Sequence, residues 1–259
     1  MLYNYHTHTK RCNHATGEDR EYVEAAIQRG LKVLGMSDHA PYLFPETDFQ
    51  SSYRMRLDQT EDYVQSVRAL AKEYEKDIKI YCGFELEYYP DFHKEEKEFL
   101  MQFKPDYFIL GQHFAGNERE SRYYTSTPGD LFLTLYVTQA LAGLATGDFL
   151  YLAHPDITGS INFTAEQMES EYRRLCKGAK RMGIPLEINL LGIRGKRHYP
   201  TDIFFKIAGE EGNDILLGID AHAPQELLDV DCEKRAMEMV EKYNLKLLNA
   251  PLPMSYLKK

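Results

Sequence analysis

No apolar run in this 259-residue chain approaches the roughly 20 residues that a membrane-crossing helix requires, so no such helix is expected. Internal repeats, low-complexity tracts and Pro-, Gly- or Ser-rich linkers are also missing, and a single domain over residues 1–259 is expected. Cysteine is scarce: Cys12, Cys82, Cys176 and Cys232 are widely spaced without a CxxC pair, which argues for reduced thiols and against a disulfide framework. Positive charge is short as well. With 31 Lys and Arg against 40 Asp and Glu, the net charge of −9 disfavours nucleic acid as a partner, because that partner demands clustered cations to replace its counterions. A first motif already occupies Met1 to His8 and leaves no room there for a cleavable signal peptide, so a cytoplasmic protein with an acidic surface is expected.

What the chain does have is enough apolar sequence, 43% of residues, to bury a full core. Six runs have strand length and are rich in aromatic or branched residues: Leu2–Tyr5, Val33–Ser37, Ile78–Phe84, Tyr107–Gly111, Leu150–Ala153 and Ile215–Ile219. A residue able to bind metal follows each of them. A seventh strand is expected at Pro185–Leu190, and Leu245–Asn249 is a candidate eighth that brings no such residue. Helical spacing fills the gaps at Glu18–Arg29, Asp58–Lys76, Pro128–Ala145, Thr164–Met182, Thr201–Glu211 and Cys232–Tyr243. The helix from Thr164 opens on Thr-Ala-Glu-Gln, a capping-box pattern, and stops before Gly183. Regular alternation of strand and helix predicts a parallel sheet closed into an α/β barrel. In such a barrel the C-terminal strand ends converge on one rim, where residues distant in sequence share a pocket.

The first motif reads Tyr5-His6-Thr7-His8-Thr9, with His14 after it. Strand residues two apart point the same way, so His6 and His8 can grip one ion while His14 returns from the following loop. Cys12 lies inside this motif, but thiolate ligands usually come in paired spacings, and it is set aside. In Ser37-Asp38-His39, His39 is read as a ligand and Asp38 as a group that orients a ligand or handles protons; capping the next segment is its alternative. Glu85 follows Gly83-Phe84. One carboxylate among many imidazoles suggests adjacent ions sharing it, since its two oxygens can bridge and an imidazole cannot. Glu87 is read as facing solvent or substrate. His113 and His154 end the fourth and fifth strands, and Asp220 and His222 repeat the same-face spacing in Gly218-Ile219-Asp220-Ala221-His222. Glu187 and Asn189 are expected in packing or supporting roles, and His93 on the surface.

Together the HTH, His14, SDH, GFE, GQH, AHPD and GIDAH motifs resemble the polymerase and histidinol phosphatase superfamily of metal-dependent phosphoesterases, over nearly the whole chain from His6 to His222. Within it, the length, the GFELEYYP around Glu85 and the Gly-Gln-His at His113 look most like the histidinol-phosphate phosphatase branch. The resemblance implies a distorted (β/α)7 TIM-like barrel with up to three divalent metal ions (Zn, Mn or Fe) at the C-terminal strand ends. Carried over by motif, one ion takes His6, His8, Glu85 and Asp220; a second shares Glu85 with His113 and His154; a third takes His14, His39 and His222. Such ions lower the pKa of a bound water so that hydroxide exists near neutral pH, and they orient the phosphoryl group. The implied reaction is hydrolysis of L-histidinol phosphate to L-histidinol and phosphate, in histidine biosynthesis.

Asp38, Asp220 or a histidine of the cluster are candidates to protonate the leaving alkoxide. Arg194-Gly195-Lys196-Arg197-His198 follows the sixth strand, and Arg194 and Arg197 are read as phosphate clamps with His198 as a further candidate; a solvated basic loop is the alternative. The branch is expected to carry a basic residue soon after the strand-five histidine, whereas the segment after His154 has none, so another small phosphate ester or nucleotide stays open. Arg119 and Arg122 are the candidates to compensate. A metal-dependent amidohydrolase, which also begins with HxH on a barrel strand, and a binding scaffold are readings from other classes. Oligomeric state is not encoded in these motifs.

Overall fold

A computed structural model of the protein describes residues 1–44, 49, 51–119, 130–159, 163–249 and 252. Arg122 and the first two residues of the helix expected from Pro128 lie outside them. Strands β1 (Tyr3–Asn4), β2 (Val33–Met36), β3 (Lys79–Leu86) and β4 (Tyr107–Leu110) form a parallel sheet in that order, with Asn4 opposite Leu34, Met36 opposite Cys82 and Glu85 opposite Ile109. Strands β5 (Leu186–Asn189), β6 (Asp214–Gly218) and β7 (Lys246–Leu247) form a second parallel sheet. All residues of β2, β4 and β5 are buried, as parallel strands covered on both faces require.

The expected strand Leu150–Ala153 is reduced to isolated bridges. Leu152 pairs with Leu110 on one side and Leu186 on the other, supported by Leu150 N–H to Phe108 O at 2.8 Å and Glu187 N–H to Leu152 O at 3.1 Å. The run lies between the two sheets and joins them, and His154, at φ 28°, turns the chain out of the sheet before a longer ladder can form. At the other edge Thr7 bridges Ala221, and His8 N–H donates to Ala221 O at 2.9 Å. The result is an α/β fold on a curled parallel sheet. The eighth-strand candidate Leu245–Asn249 contains the two-residue β7, which pairs with β6.

Helices α1 (Asp19–Arg29), α2 (Thr60–Glu73), α3 (His93–Met101), α4 (Asp130–Ala145), α5 (Ala165–Met182), α6 (Leu190–Arg194), α7 (Asp202–Glu211) and α8 (Val230–Lys242) connect the strands. The expected capping box is present on α5: Gln167 N–H donates to Thr164 Oγ1 at 3.2 Å, Thr164 N–H to Gln167 Oε1 at 2.7 Å, and Gly183 ends the helix at φ 68°. No helix among the described residues is long and apolar enough to cross a membrane.

Strand alternation separates two cores. Leu34, Phe84, Phe108 and Leu110 pack with the helices, whereas Val33, Tyr107, Ile109 and Tyr5 form a smaller cluster on the other face. Glu85 shares the parity of Tyr107 and Ile109 across the ladder, so its side chain belongs to that inner face. His93 does not lie on the surface as expected. It is 7% exposed, between Tyr88 and Phe149, and its Nε2 donates to Asp148 Oδ2 at 2.9 Å, which pins the start of α3 to the loop after α4.

Candidate metal centre

The nine ligand candidates come from seven places along the sheet and meet at one end of it. His6 and His8 follow β1, His14 follows a 3-10 turn at Lys10–Cys12, and His39 follows β2 in a bridge to Glu85. Glu85 lies near the end of β3, His113 follows β4, His154 follows the Leu152 bridge, and Asp220 and His222 follow β6. His6 Nε2 lies 3.5 Å from Glu85 Oε2 and 3.4 Å from Asp220 Oδ1; His8 Nε2 lies 3.5 and 3.0 Å from the same two oxygens. Glu85 Oε1 is 3.0 Å from His154 Nε2 and 3.8 Å from His113 Nε2, while Oε2 is 3.0 Å from His39 Nδ1. His14, His39 and His222 form a further compact group, with Nε2 of His14 and His222 only 3.0 Å apart.

The separations of 3.0–3.5 Å are close to those of atoms around a shared cation, and only the 3.8 Å between Glu85 Oε1 and His113 Nε2 is clearly wider. Two ligand atoms each about 2.0–2.1 Å from one ion, at octahedral to tetrahedral angles, stand about 2.9–3.4 Å apart. Hydrogen bonding does not replace the ion. His6 Nε2, Glu85 Oε2 and Asp220 Oδ1 are buried without a hydrogen-bond partner among the described residues, an arrangement that is costly unless something bonds all three. In the outer group, Nδ1 of His14 donates to Cys12 O at 2.8 Å and Nδ1 of His222 to Asp220 O at 3.2 Å, so their facing Nε2 atoms both present lone pairs.

Carboxylates behind the ring fix the imidazoles. His6 Nδ1 donates to Glu187 Oε1 at 2.8 Å, and Glu187 Oε2 accepts His154 N–H at 2.8 Å and Asn189 Nδ2 at 2.9 Å. Asn189 also donates to Asp220 Oδ2 at 3.0 Å. Glu87 is buried, not solvated as expected: its carboxylate accepts the N–H of His113 at 2.9 Å and of Phe114 at 3.0 Å, lies 3.3 Å from His113 Nδ1 and pairs with Arg54. Such partners set tautomer and ring orientation. Two absent side chains make room for this shell. A Cβ on Gly111 would lie 1.7 Å from Glu85 Oε1, and one on Gly218 would lie 1.7 Å from Glu187 Oε1. His154 and Asp220 themselves adopt positive φ, 28° and 50°, the kind of backbone strain that persists where the surroundings enforce it.

Charge divides the centre in two. Burial works against the ionised form of Glu85, but His39, His6 and His154 outweigh it and hold the carboxyl well below its usual range; His6, His8 and His222 do the same for Asp220. Burial also opposes protonation of His8, yet Asp220 and Asp38 raise it to about 9, and Asp220, Glu187 and Glu85 raise His6. His39 and His222 are pushed well below their ordinary value, and His14 is also lowered, by burial first and then, for each, by the charge of His8 among others. The outer imidazoles are therefore neutral and ready for a cation, and an ion entering the inner set displaces protons.

The centre opens into a cavity of about 420 Å³ walled by Tyr53, Phe114, Leu191 and Tyr199. Asp220 lines it. Asp38 does not: it is buried behind His8, 3.4 Å from Nδ1, and accepts the Thr9 hydroxyl and the His39 N–H. Of the three phosphate candidates only Arg197 reaches the cavity, where its Nη1 also donates to Tyr199 Oη at 3.0 Å. Arg194 is turned to Glu226 Oε1 (3.0 Å) and to the carbonyls of Ile219 and Asp220. His198 donates to Ile157 O at 2.6 Å against Gly159, away from the cavity. Sequence reading missed Arg54, which lines the cavity, and Glu226, which accepts the N–H of His222 at 2.6 Å; the Pro224 that opens a short turn six residues after β6 was the available signal for the latter. Cys12 lies within ligand distance of His8 and His222, with burial raising its thiol.

The PHP domain family matches residues 4–190. A "probable histidinol-phosphatase" of Deinococcus radiodurans is 29% identical, over 86% of this chain and 86% of that one. A histidinol-phosphatase of Bacillus subtilis is 31% identical over 42% of each chain. Among solved structures, the histidinol phosphate phosphatase of Lactococcus lactis, crystallised with zinc, L-histidinol and phosphate, superposes with a TM-score of 0.74 at 19% identity, covering 98% of this chain and 97% of that one. At that identity the likeness establishes the fold.

Proposed function

Because the chain belongs to the PHP domain family, we propose that it is a metal-dependent phosphatase that hydrolyses L-histidinol phosphate to L-histidinol and phosphate. The observation that carries the reading is the convergence of buried, unpaired ligand atoms from His6, Glu85 and Asp220 beneath an aromatic-walled cavity. The Deinococcus relative, matched over most of both chains, supports the substrate.

Two or three divalent ions would be held as follows: His6, His8, Glu85 and Asp220 would take one, Glu85, His113 and His154 a second, and His14, His39 and His222 a third. When bound, such ions acidify water and neutralise phosphoryl charge. The protein's own contributions follow from the geometry. Glu187, Glu87 and Asp38 orient His6, His113 and His8, and Asp38 is a positioning residue on this reading. Asp220, held in its charged form, is suited to binding an ion and not to donating a proton. Arg197 offers the ester a fixed cation, and Tyr53, Phe114 and Tyr199 offer apolar faces on which an imidazole can stack. Arg194 supports the carbonyl side of the Asp220 turn. The curled sheet is read as a distorted (β/α)7 barrel with Leu150–Ala153 as its fifth strand and the Thr7–Ala221 bridge as its seam. Residues 1–259 are read as one cytoplasmic domain.

Phosphate release from L-histidinol phosphate, against nucleoside monophosphates, sugar phosphates and a single-stranded oligonucleotide, tests this function. A strong preference for L-histidinol phosphate is expected. Equal or better turnover of the other esters overturns the substrate assignment while keeping the phosphatase.

A further inference from the structure

The side chains lining the cavity include two permanent cations, Arg197 and Arg54, and Arg54 is held in an unusual way. It is 2% exposed. Its Nε donates to Glu118 Oε2 at 2.6 Å, its Nη2 donates to Glu87 Oε1 and to Tyr89 Oη at 3.2 Å, and the guanidinium lies over the Tyr42 ring at 5.0 Å. Three sets of contacts therefore fix the plane and tilt of the fork. The remaining nitrogen, Nη1, is buried and has no hydrogen-bond partner among the described residues. A buried, ionised donor without an acceptor is unfavourable, and an acceptor supplied by a molecule bound in the cavity that Arg54 lines would relieve it.

We propose that Arg54 Nη1 donates to a phosphoryl oxygen of the bound ester, making Arg54 a substrate-binding residue of the phosphatase site; the inference rests on the phosphatase reading above. Glu87 and Glu118 largely neutralise the guanidinium, so its contribution is a directed hydrogen bond more than net charge. Glu87 also couples it to the metal centre, because the carboxylate that grips Arg54 holds the backbone and ring of His113. The segment 155–159 after His154 has no basic side chain, so the donors for phosphate come from the loop between β2 and α2 and from the loop after α6.

The test compares zinc-loaded wild type with Arg54→Lys and Arg54→Gln, using inorganic phosphate as a competitive inhibitor of L-histidinol phosphate hydrolysis. Lysine keeps the charge facing Glu87 but cannot place a second nitrogen where Nη1 stands. With metal content and melting temperature matched to wild type, both variants are expected to raise the phosphate inhibition constant and lower kcat/KM by about 10- to 100-fold. A change below about twofold in a fully loaded variant overturns the proposal. A structure of the zinc-loaded wild type with inorganic phosphate decides the matter without any variant: Nη1 within hydrogen-bond distance of a phosphate oxygen is expected, and Nη1 turned away refutes it. If wild type instead cleaves no phosphate ester, the phosphatase reading fails, while the phosphate-bound structure still judges the contact.

Discussion

Gly218→Ala tests whether the carboxylate shell behind the imidazoles controls the metal centre. An alanine in a strand is ordinarily better than glycine by about 0.5–1 kcal/mol, so the default expectation is a small gain in stability. Here the new Cβ would lie 1.7 Å from Glu187 Oε1 and 2.4 Å from Glu187 Cδ, whereas real Cβ atoms essentially never approach a neighbour within 3.0 Å. The oxygen must therefore retreat by roughly 1.3 Å. That retreat breaks its 2.8 Å bond to His6 Nδ1, and the movement strains the bonds that Glu187 Oε2 makes to His154 N–H and Asn189. Loss of an orienting partner of this kind costs about 10- to 100-fold in metal affinity, or roughly 1.4–2.7 kcal/mol. Equilibrating wild type and G218A against buffered free zinc and reading bound metal by mass spectrometry measures the shift directly. Weaker binding, with activity restored at saturating zinc, is expected. Unchanged affinity in a folded variant would refute the claim that Glu187 sets the geometry of His6.

Gly111→Ala pushes on Glu85 itself, with a Cβ 1.7 Å from Oε1, so metal content and phosphatase activity are expected to fall further than in Gly218→Ala; equal effects of the two variants would speak against a shared role for Glu85. Chelation removes a ligand that binds only the folded state: at a thousandfold excess over Kd the ions contribute about 4 kcal/mol, so stripping zinc should lower the melting temperature by roughly 8–16 °C in scanning fluorimetry, and an unmoved transition would contradict a bound cluster. Glu96 is buried on α3 and pushed up from 4.5 to about 8 by burial, with Leu43 N–H as its donor at 3.3 Å. The folded state then keeps a proton that the unfolded chain has lost, so stability falls as pH rises from about 4.5 to 8. In Glu96→Gln that decline is expected to flatten across the same window, and an identical pH profile for the two proteins would refute the assignment.

Much of the centre was legible because a parallel sheet ends its strands on one rim: a histidine, glutamate or aspartate after each apolar run already implied a common site, and the structure brings all nine together, eight lining the cavity and His6 buried against Glu85 and Asp220. Local signals also read through, as in the Thr164–Gln167 capping box with Gly183. What was illegible depends on partners far away in sequence. Glu87 looks solvated until Arg54, 33 residues earlier, is folded against it, and His93 looks exposed until Asp148 arrives 55 residues later. The basic loop shows a different limit. Its position on the rim was readable, but the direction of each side chain was not, and α6 turns Arg194 toward Glu226 while Arg197 faces the cavity. Leu150–Ala153 failed as a ladder because the strained turn at His154 cuts it short, a constraint with no signature in apolar content.

On the proposed function, two or three ions would gather around Glu85 and make this protein a phosphatase. Titrating zinc back into chelator-stripped protein, while following phosphate release from L-histidinol phosphate, tests it most directly. No turnover is expected in the stripped protein, with activity that appears only as two or three equivalents bind. Full activity without metal, or saturation at a single equivalent, would contradict it.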